Sequence, residues 1–388
     1  MKKIKNYWFI VLFGLTLFFP LYGKKLEQNI TLSGVTSATE EVELTKKTIG
    51  NGDYQTYLND KWDANFSGKK ALLKIRNQFL YSVCRISPNK NVVIGKEGYL
   101  YEPKYIYLEN QIYAPASEDY FTTLGENLNK LQQLLNESGK ELYVFVTPSK
   151  AHFCKEYIPD KYSFLSKEGE YAHTEYSKLI EVLEKNDIVY FDSIKYIEES
   201  GAKLGLGSPL FYKSGIHWSN SWGYNAANEL LNLMREEGKY DLSKIEVTES
   251  KSDIPVYPST DLYNSLNLIL PADEQWYSAQ MNVIEEGSDH PTIFLRGGSF
   301  MGQSLNGLIR CGIFGEDVHF ENNYYHMNGY TQSKVLSGFD RYEEMDLDLL
   351  LGKSDILILE VNEAVIYKMG WGFIDYLLNH PEYLDYNY

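Results

Sequence analysis

Ser299 sits where a serine could do acyl chemistry. The apolar run Thr292-Ile293-Phe294-Leu295 passes into Arg296-Gly297-Gly298-Ser299-Phe300 and then into Met301 to Ile309, which can form a helix. Strand, glycine-rich turn, serine and helix in that order describe a nucleophile elbow. Gly297 and Gly298 let the backbone turn tightly and expose the hydroxyl, and amides at a helix start can stabilise an oxyanion. The plainer role for Ser299 is to cap that helix. A serine nucleophile needs a base, and of the seven histidines His217 has a distinctive setting, the loop Phe211-Tyr212-Lys213-Ser214-Gly215-Ile216-His217-Trp218-Ser219-Asn220 ahead of a helix with Trp222, Ala226, Leu230 and Leu233. A loop histidine beside Trp218 is either held in one orientation for proton transfer or simply packed. In Val144-Phe145-Val146-Thr147-Pro148-Ser149-Lys150-Ala151, a strand ends in a turn with Lys150 at the carboxyl edge of a sheet, where ligands of open α/β folds gather. Lys150 there either fixes an anionic group and supports an oxyanion or is an exposed loop lysine.

The elements that must position these residues are visible as periodicity. Leu124, Leu128, Leu131 and Leu135 mark an amphipathic helix that Gly139 would close, and a strand Leu142 to Val146 follows at once. A helix around Leu179 to Leu183 leads to the short run Ile188 to Phe191, the helix Ser221 to Met234 comes later, and Ile356 to Val361 is a further buried-type strand. Repeated helix and strand predict an α/β fold on a mostly parallel sheet. Tyr54 to Tyr81, with Trp62, Phe66, Leu72, Leu73, Ile75 and Phe79 near helical period, reads as a core helix, and Val92 to Leu100 as strand, glycine turn, strand.

The chain has 388 residues, 37 Lys+Arg against 53 Asp+Glu and a net charge of −16, which argues against a nucleic-acid surface. Its 44% hydrophobic content supports a sizeable core, and 33 Tyr offer flat faces with hydroxyls suited to sugars. Cys84, Cys154 and Cys311 have no metal-type spacing, and no HExxH, P-loop, GxGxxG or EF-hand pattern occurs, so neither metal nor cofactor is expected. Lysines flank an uncharged stretch from Tyr7 to Tyr22, which predicts a signal anchor or signal peptide over 1–25 and a body outside the cytoplasm. Residues 26–48 read as a polar stalk and 49–388 as one folded domain.

In this order the pieces resemble the SGNH-hydrolase-like acetyltransferases of the AlgJ/AlgX type, extracytoplasmic proteins that O-acetylate bacterial exopolysaccharides. The marks are Gly95-Lys96-Glu97-Gly98-Tyr99-Leu100-Tyr101, Thr147-Pro148-Ser149-Lys150-Ala151, Glu156-Tyr157-Ile158-Pro159, His217-Trp218-Ser219, Asp261-Leu262, Gly297-Gly298-Ser299-Phe300 and Glu360-Val361-Asn362-Glu363. The resemblance implies a three-layer SGNH-hydrolase-like domain, Ser299 as nucleophile and His217 as base. It further implies a polysaccharide substrate and a membrane-bound O-acyltransferase that passes acetyl groups outward. Two positions depart from the family pattern: Gly215 stands where an aspartate orients the histidine, and Gly298 where an aspartate precedes the serine. Either another carboxylate, Asp192, Asp261 or Glu363, replaces the first, or a Ser-His dyad suffices, or the domain binds without catalysing. Trp218, Tyr257, Tyr263, Trp276 and Tyr277 are candidate polysaccharide contacts. An acetyl-esterase or a silent carbohydrate-binding subunit of an export complex are the alternative functions.

Overall fold

The computed structural model describes residues 41–314, 318–322, 327–331, 334–339 and 342–384, with 7–11, 13, 14, 18, 19, 23, 25, 27 and 29–34. Much of the expected anchor and part of the stalk, residues 35–40 included, lie outside the described residues. Among the described residues no helix is long and apolar enough to cross a membrane, so the expected anchor is not found there. The chain divides into two compact units, residues 1–94 with 261–273, and 95–260 with 274–388, which differs from the single body expected over 49–388.

In the first unit the single helix expected over 54–81 is two, α1 (Asp53–Asn65) and α2 (Lys69–Phe79). Gly68, at φ 92°, turns the chain between them. The pair is not a core element: Trp62, Leu72, Ile75 and Phe79 are exposed. What α2 turns inward is partly polar, with Leu73 half-buried beside Asn77. Asn77 donates from Nδ2 to the Leu266 carbonyl at 2.9 Å, and Gln78 Oε1 accepts the amides of Ile269 and Leu270.

The second unit follows the predicted alternation. Helix α3 (Glu118–Glu137) buries Leu124, Leu128, Leu131 and Leu135, and strand β1 (Glu141–Thr147) is buried along its whole length. The turn α4 (Lys150–Phe153), helix α5 (Glu175–Lys185), strand β2 (Tyr190–Asp192), α6 (Ser193–Ser200) and α7 (Asn220–Glu237) come next. A two-stranded antiparallel ribbon, β3 (Lys244–Ser252) and β4 (Trp276–Glu285), leads to β5 (Ile293–Gly297) and α8 (Met301–Cys311). Strands β6 (Val318–Asn322), β7 (Met327–Thr331), β8 (Lys334–Phe339) and β9 (Ile356–Asn362) and helix α9 (Phe373–Asn379) complete it. Sheet order is β8-β7-β6-β5-β9-β1-β2, parallel from β6 to β2, with β7 and β8 antiparallel at one edge.

The layering follows from strand alternation. Leu142, Val144 and Val146 of β1 join Leu357, Leu359 and Val361 of β9 in one core under α3, α5 and α9. On the opposite face Phe145 meets Trp218 at 6.1 Å between ring centres, and α7 is tied to α8 by Ser304 Oγ donating to the Gly223 carbonyl at 2.8 Å. Ile356 to Asn362 register with Glu141 to Thr147, and Ile356 to Leu359 with Ile293 to Arg296. The carboxyl ends of β1, β5 and β9 therefore share one edge of the sheet, which collects Lys150, Ser299 and Glu360.

Candidate active site

At that edge β5 ends in Gly297, and Gly298 and Ser299 form the turn into α8. A Cβ on Gly297 would lie 2.6 Å from the Cβ of Glu360, so this close crossing of β5 and β9 needs glycine. Glu360 reaches under the turn and accepts the Gly298 amide at 2.5 Å on one oxygen and the Thr147 hydroxyl on the other. Gly298 is thus not an oxyanion donor, because its N–H is already spent. Burial pushes the Glu360 carboxyl up to about 7, against the two hydrogen bonds and the nearby His217, which favour its charged form.

His217 comes to the same place from a loop 82 residues away: its Nε2 is 2.7 Å from Ser299 Oγ. The imidazole lies against Phe300, ring centres 4.9 Å apart. Trp218, fully buried, donates from Nε1 to the Phe300 carbonyl at 3.0 Å. Its indole therefore ties the histidine loop to the serine turn and is not available to a polysaccharide. Residues 212–215 are fixed from two sides. Lys150, also fully buried, donates from Nζ to the carbonyls of Tyr212, Lys213 and Gly215 at 2.7, 2.9 and 2.6 Å. Glu274 accepts the amides of Lys213 and Ser214 at 2.7 and 3.0 Å. Lys150 is neither a loop lysine nor a substrate-facing cation, since its three N–H groups are directed at the backbone that delivers His217.

Gly215, in the place of the expected aspartate, has a steric reason. A Cβ there would meet the Ser259 carbonyl oxygen at 2.8 Å. Two of the candidate replacement carboxylates are engaged elsewhere. Asp192 caps α6 through the amides of Ile194 and Lys195 and accepts the Tyr176 hydroxyl at 2.6 Å. Glu363 accepts the Ser149 amide and pairs with His152 Nδ1 at 2.8 Å, a bond that pushes His152 up to about 9. Asp261 opens the short helix Asp261–Ser265 of the first unit, its Oδ1 accepting the Leu262 amide at 2.6 Å.

Of the aromatic candidates Tyr257 is 80% exposed and Tyr277 half-buried. Trp276 is buried against Tyr212, 5.1 Å between ring centres, which removes it as a contact. Tyr263, in the first unit, donates to the carbonyls of Leu270 and Pro271 at 3.3 and 3.4 Å. Beside Ser299 is a cleft of about 20 Å³ walled by Tyr105, Val361, Val365, Met369 and Trp371. Tyr105 also borders a larger cavity of about 230 Å³ lined by Tyr113, His152, Lys155, Glu175 and Glu363. Glu360, quoted in the sequence only within a family mark and given no role there, had one further signal: it is the single acid inside the apolar run Ile356 to Val361.

The family described as SGNH hydrolase-like domain, acetyltransferase AlgX matches residues 92–292, just over half of the chain, a span that includes His217 and stops short of Ser299. No curated protein matches. Among solved structures the chain is similar to the O-acetyltransferase domain of Pseudomonas putida AlgJ, with 16% identity, 75% of this chain and 99% of that one covered and a TM-score of 0.46. It is similar to Pseudomonas aeruginosa AlgX, with 15% identity over 74% of this chain and 68% of that one and a TM-score of 0.44. Bacillus cereus PatB1 with a sulfonyl adduct gives 10% identity, 72% and 99% coverage and a TM-score of 0.45.

Proposed function

This chain belongs to the family of SGNH-hydrolase-like acetyltransferases that includes AlgX, and we propose from that premise that it is an O-acetyltransferase acting through Ser299 on hydroxyls of an exopolysaccharide outside the cytoplasm. The observation that carries the reading is the 2.7 Å contact between His217 Nε2 and Ser299 Oγ. At that distance the imidazole can take the serine proton as Oγ bonds to the carbonyl carbon of an acetyl donor. The donor's leaving group departs with the proton held by His217, and acetyl-Ser299 remains. A sugar hydroxyl then gives its proton to His217 and attacks the ester carbonyl, and the departing Ser299 oxygen recovers that proton. The Ser299 amide, at the entry to α8, is the backbone donor assigned to the oxyanion, since Gly298's is bound to Glu360.

The larger cavity across Tyr105 from Ser299 supports the reading of a sugar-chain substrate. A membrane-bound O-acyltransferase is the proposed acetyl source, because cytoplasmic acetyl thioesters do not reach an exported protein.

The test is intact-protein mass and ester turnover with an activated acetyl ester, for wild type beside Ser299→Ala and His217→Ala. One added acetyl group in wild type, absent from both variants, supports the mechanism. A folded wild type that neither gains mass nor turns over ester overturns it. Adding oligosaccharide separates transfer, which yields acetylated sugar, from hydrolysis, which yields acetate alone.

A further inference from the structure

Residues 69–90 hold six basic side chains, Lys69, Lys70, Lys74, Arg76, Arg85 and Lys90, and no acidic one, in a chain whose net charge is −16. Within this segment α2 and its continuation Leu80–Cys84 present Leu72, Ile75, Phe79 and Val83 at helical spacing, and these are 42, 52, 57 and 66% exposed. The inward side is mixed: Leu73 and Leu80 are half-buried, Asn77 and Gln78 hold the backbone of residues 266–270, and Tyr81 packs edge-on against Tyr263. A helix of a water-soluble body puts its apolar stripe on the core and its amides in water. Here an apolar stripe of four side chains is left in water, flanked by cations.

We propose that α2 and residues 80–84 form an in-plane membrane contact that recognises an anionic lipid surface. Leu72, Ile75, Phe79 and Val83 enter the boundary between headgroups and acyl chains, and Lys69, Lys70, Lys74 and Arg76 stay among the headgroup phosphates. The 11 residues of α2 and the 5 of its continuation reach about 24 Å at most, short of a bilayer's roughly 30 Å core, so the element lies on the membrane and does not cross it. The charge selects this occupant: a block of basic residues in an otherwise acidic protein is drawn to anionic lipid while the rest of the surface is repelled. The inference is independent of the catalytic reading.

Cys84 is exposed at the end of the stripe, whereas Cys154 is buried and Cys311 half-buried, so a control lacking Cys84 makes the test local. The full chain, labelled at Cys84 with an environment-sensitive fluorophore and corrected by a labelled Cys84→Ser control, is mixed with vesicles of phosphatidylcholine alone or with phosphatidylglycerol. With phosphatidylglycerol the emission is expected to shift to the blue and to be quenched by a lipid-borne quencher. Lys70→Gln with Lys74→Gln should weaken the response about fivefold per lysine, and high salt should do likewise. Ile75→Gln with Phe79→Gln should abolish it, with the melting temperature unchanged because both side chains are exposed. A probe that stays in water while the chain floats with the vesicles overturns the proposal and leaves a protein partner as occupant. An equal response to pure phosphatidylcholine overturns the recognition of anionic lipid.

Discussion

The turn that carries Ser299 is held through an amide hydrogen, and the loop that carries His217 is held chiefly through carbonyl oxygens. Beneath the first lies Glu360, an acceptor, and beneath the second Lys150, a donor of three hydrogen bonds, both buried at the carboxyl edge of the same sheet. The hydrogen-bonding role of each buried group matches the backbone polarity it faces. Both arrangements keep an ionisable side chain out of water to fix a loop, which is costly unless its partners are in place. The difference lies in coupling: Glu360 sits directly under the residue before the serine, whereas Lys150 acts through the segment ending two residues before the histidine.

Removing the cation should have the larger effect. Lys150→Met removes three hydrogen bonds and leaves the Gly215 carbonyl without Lys150, while the Leu100 and Gly215 amides still reach the Lys213 and Tyr212 carbonyls, and it is expected to cost about 3 kcal/mol in urea unfolding, with ester turnover falling as His217 loses its place. Unchanged stability would break the comparison. Next comes Gly215→Asp, which restores the family's residue yet drives a Cβ against the Ser259 carbonyl; a loss of about 1–3 kcal/mol and slower turnover are expected. Faster turnover would mean that the loop can yield. Glu360→Ala strands the Gly298 amide and the Thr147 hydroxyl, a loss of about 2 kcal/mol, with turnover reduced and ester binding largely kept.

The smallest effect is a change of pH profile. In the fold Glu360 holds its proton up to about 7, while in the unfolded chain it releases it near 4.5. Between these values the folded state binds more protons, so this group's contribution to stability falls as pH rises and levels off above 7. Glu360→Gln, which keeps an oxygen for the Gly298 amide, should remove that slope and leave the neutral-pH melting temperature nearly unchanged. Melting curves of the two proteins across this window check it, and parallel profiles would show that Glu360 titrates normally.

Much of the second unit was legible in the sequence. The leucine spacing of α3 and the apolar runs of β1, β5 and β9 led to the elements found, because buried strands and a one-faced helix leave unambiguous patterns. The antiparallel extension β7–β8 and the ribbon β3–β4 were missed, and their mixed composition carries no comparable run. Helix α2 shows the limit differently. Its stripe was read correctly as periodic and wrongly as core, since periodicity marks a face without saying what that face meets.

At the site the sequence by itself marked Ser299 in its glycine turn and His217 in its loop, since both signals are local and lie within a few residues of each motif. It also contained the acid in β9 and the basic stretch at 69–90. Only the tertiary structure decided that the serine and histidine lie within a hydrogen bond of each other, that Lys150 grips backbone, that Trp218 is a strut and that Gly298's amide belongs to Glu360. The physical reason is that each of these facts is a pairing between distant segments. Which partner a buried donor or acceptor finds is set by strand order and register, and neither is written in the residues nearby.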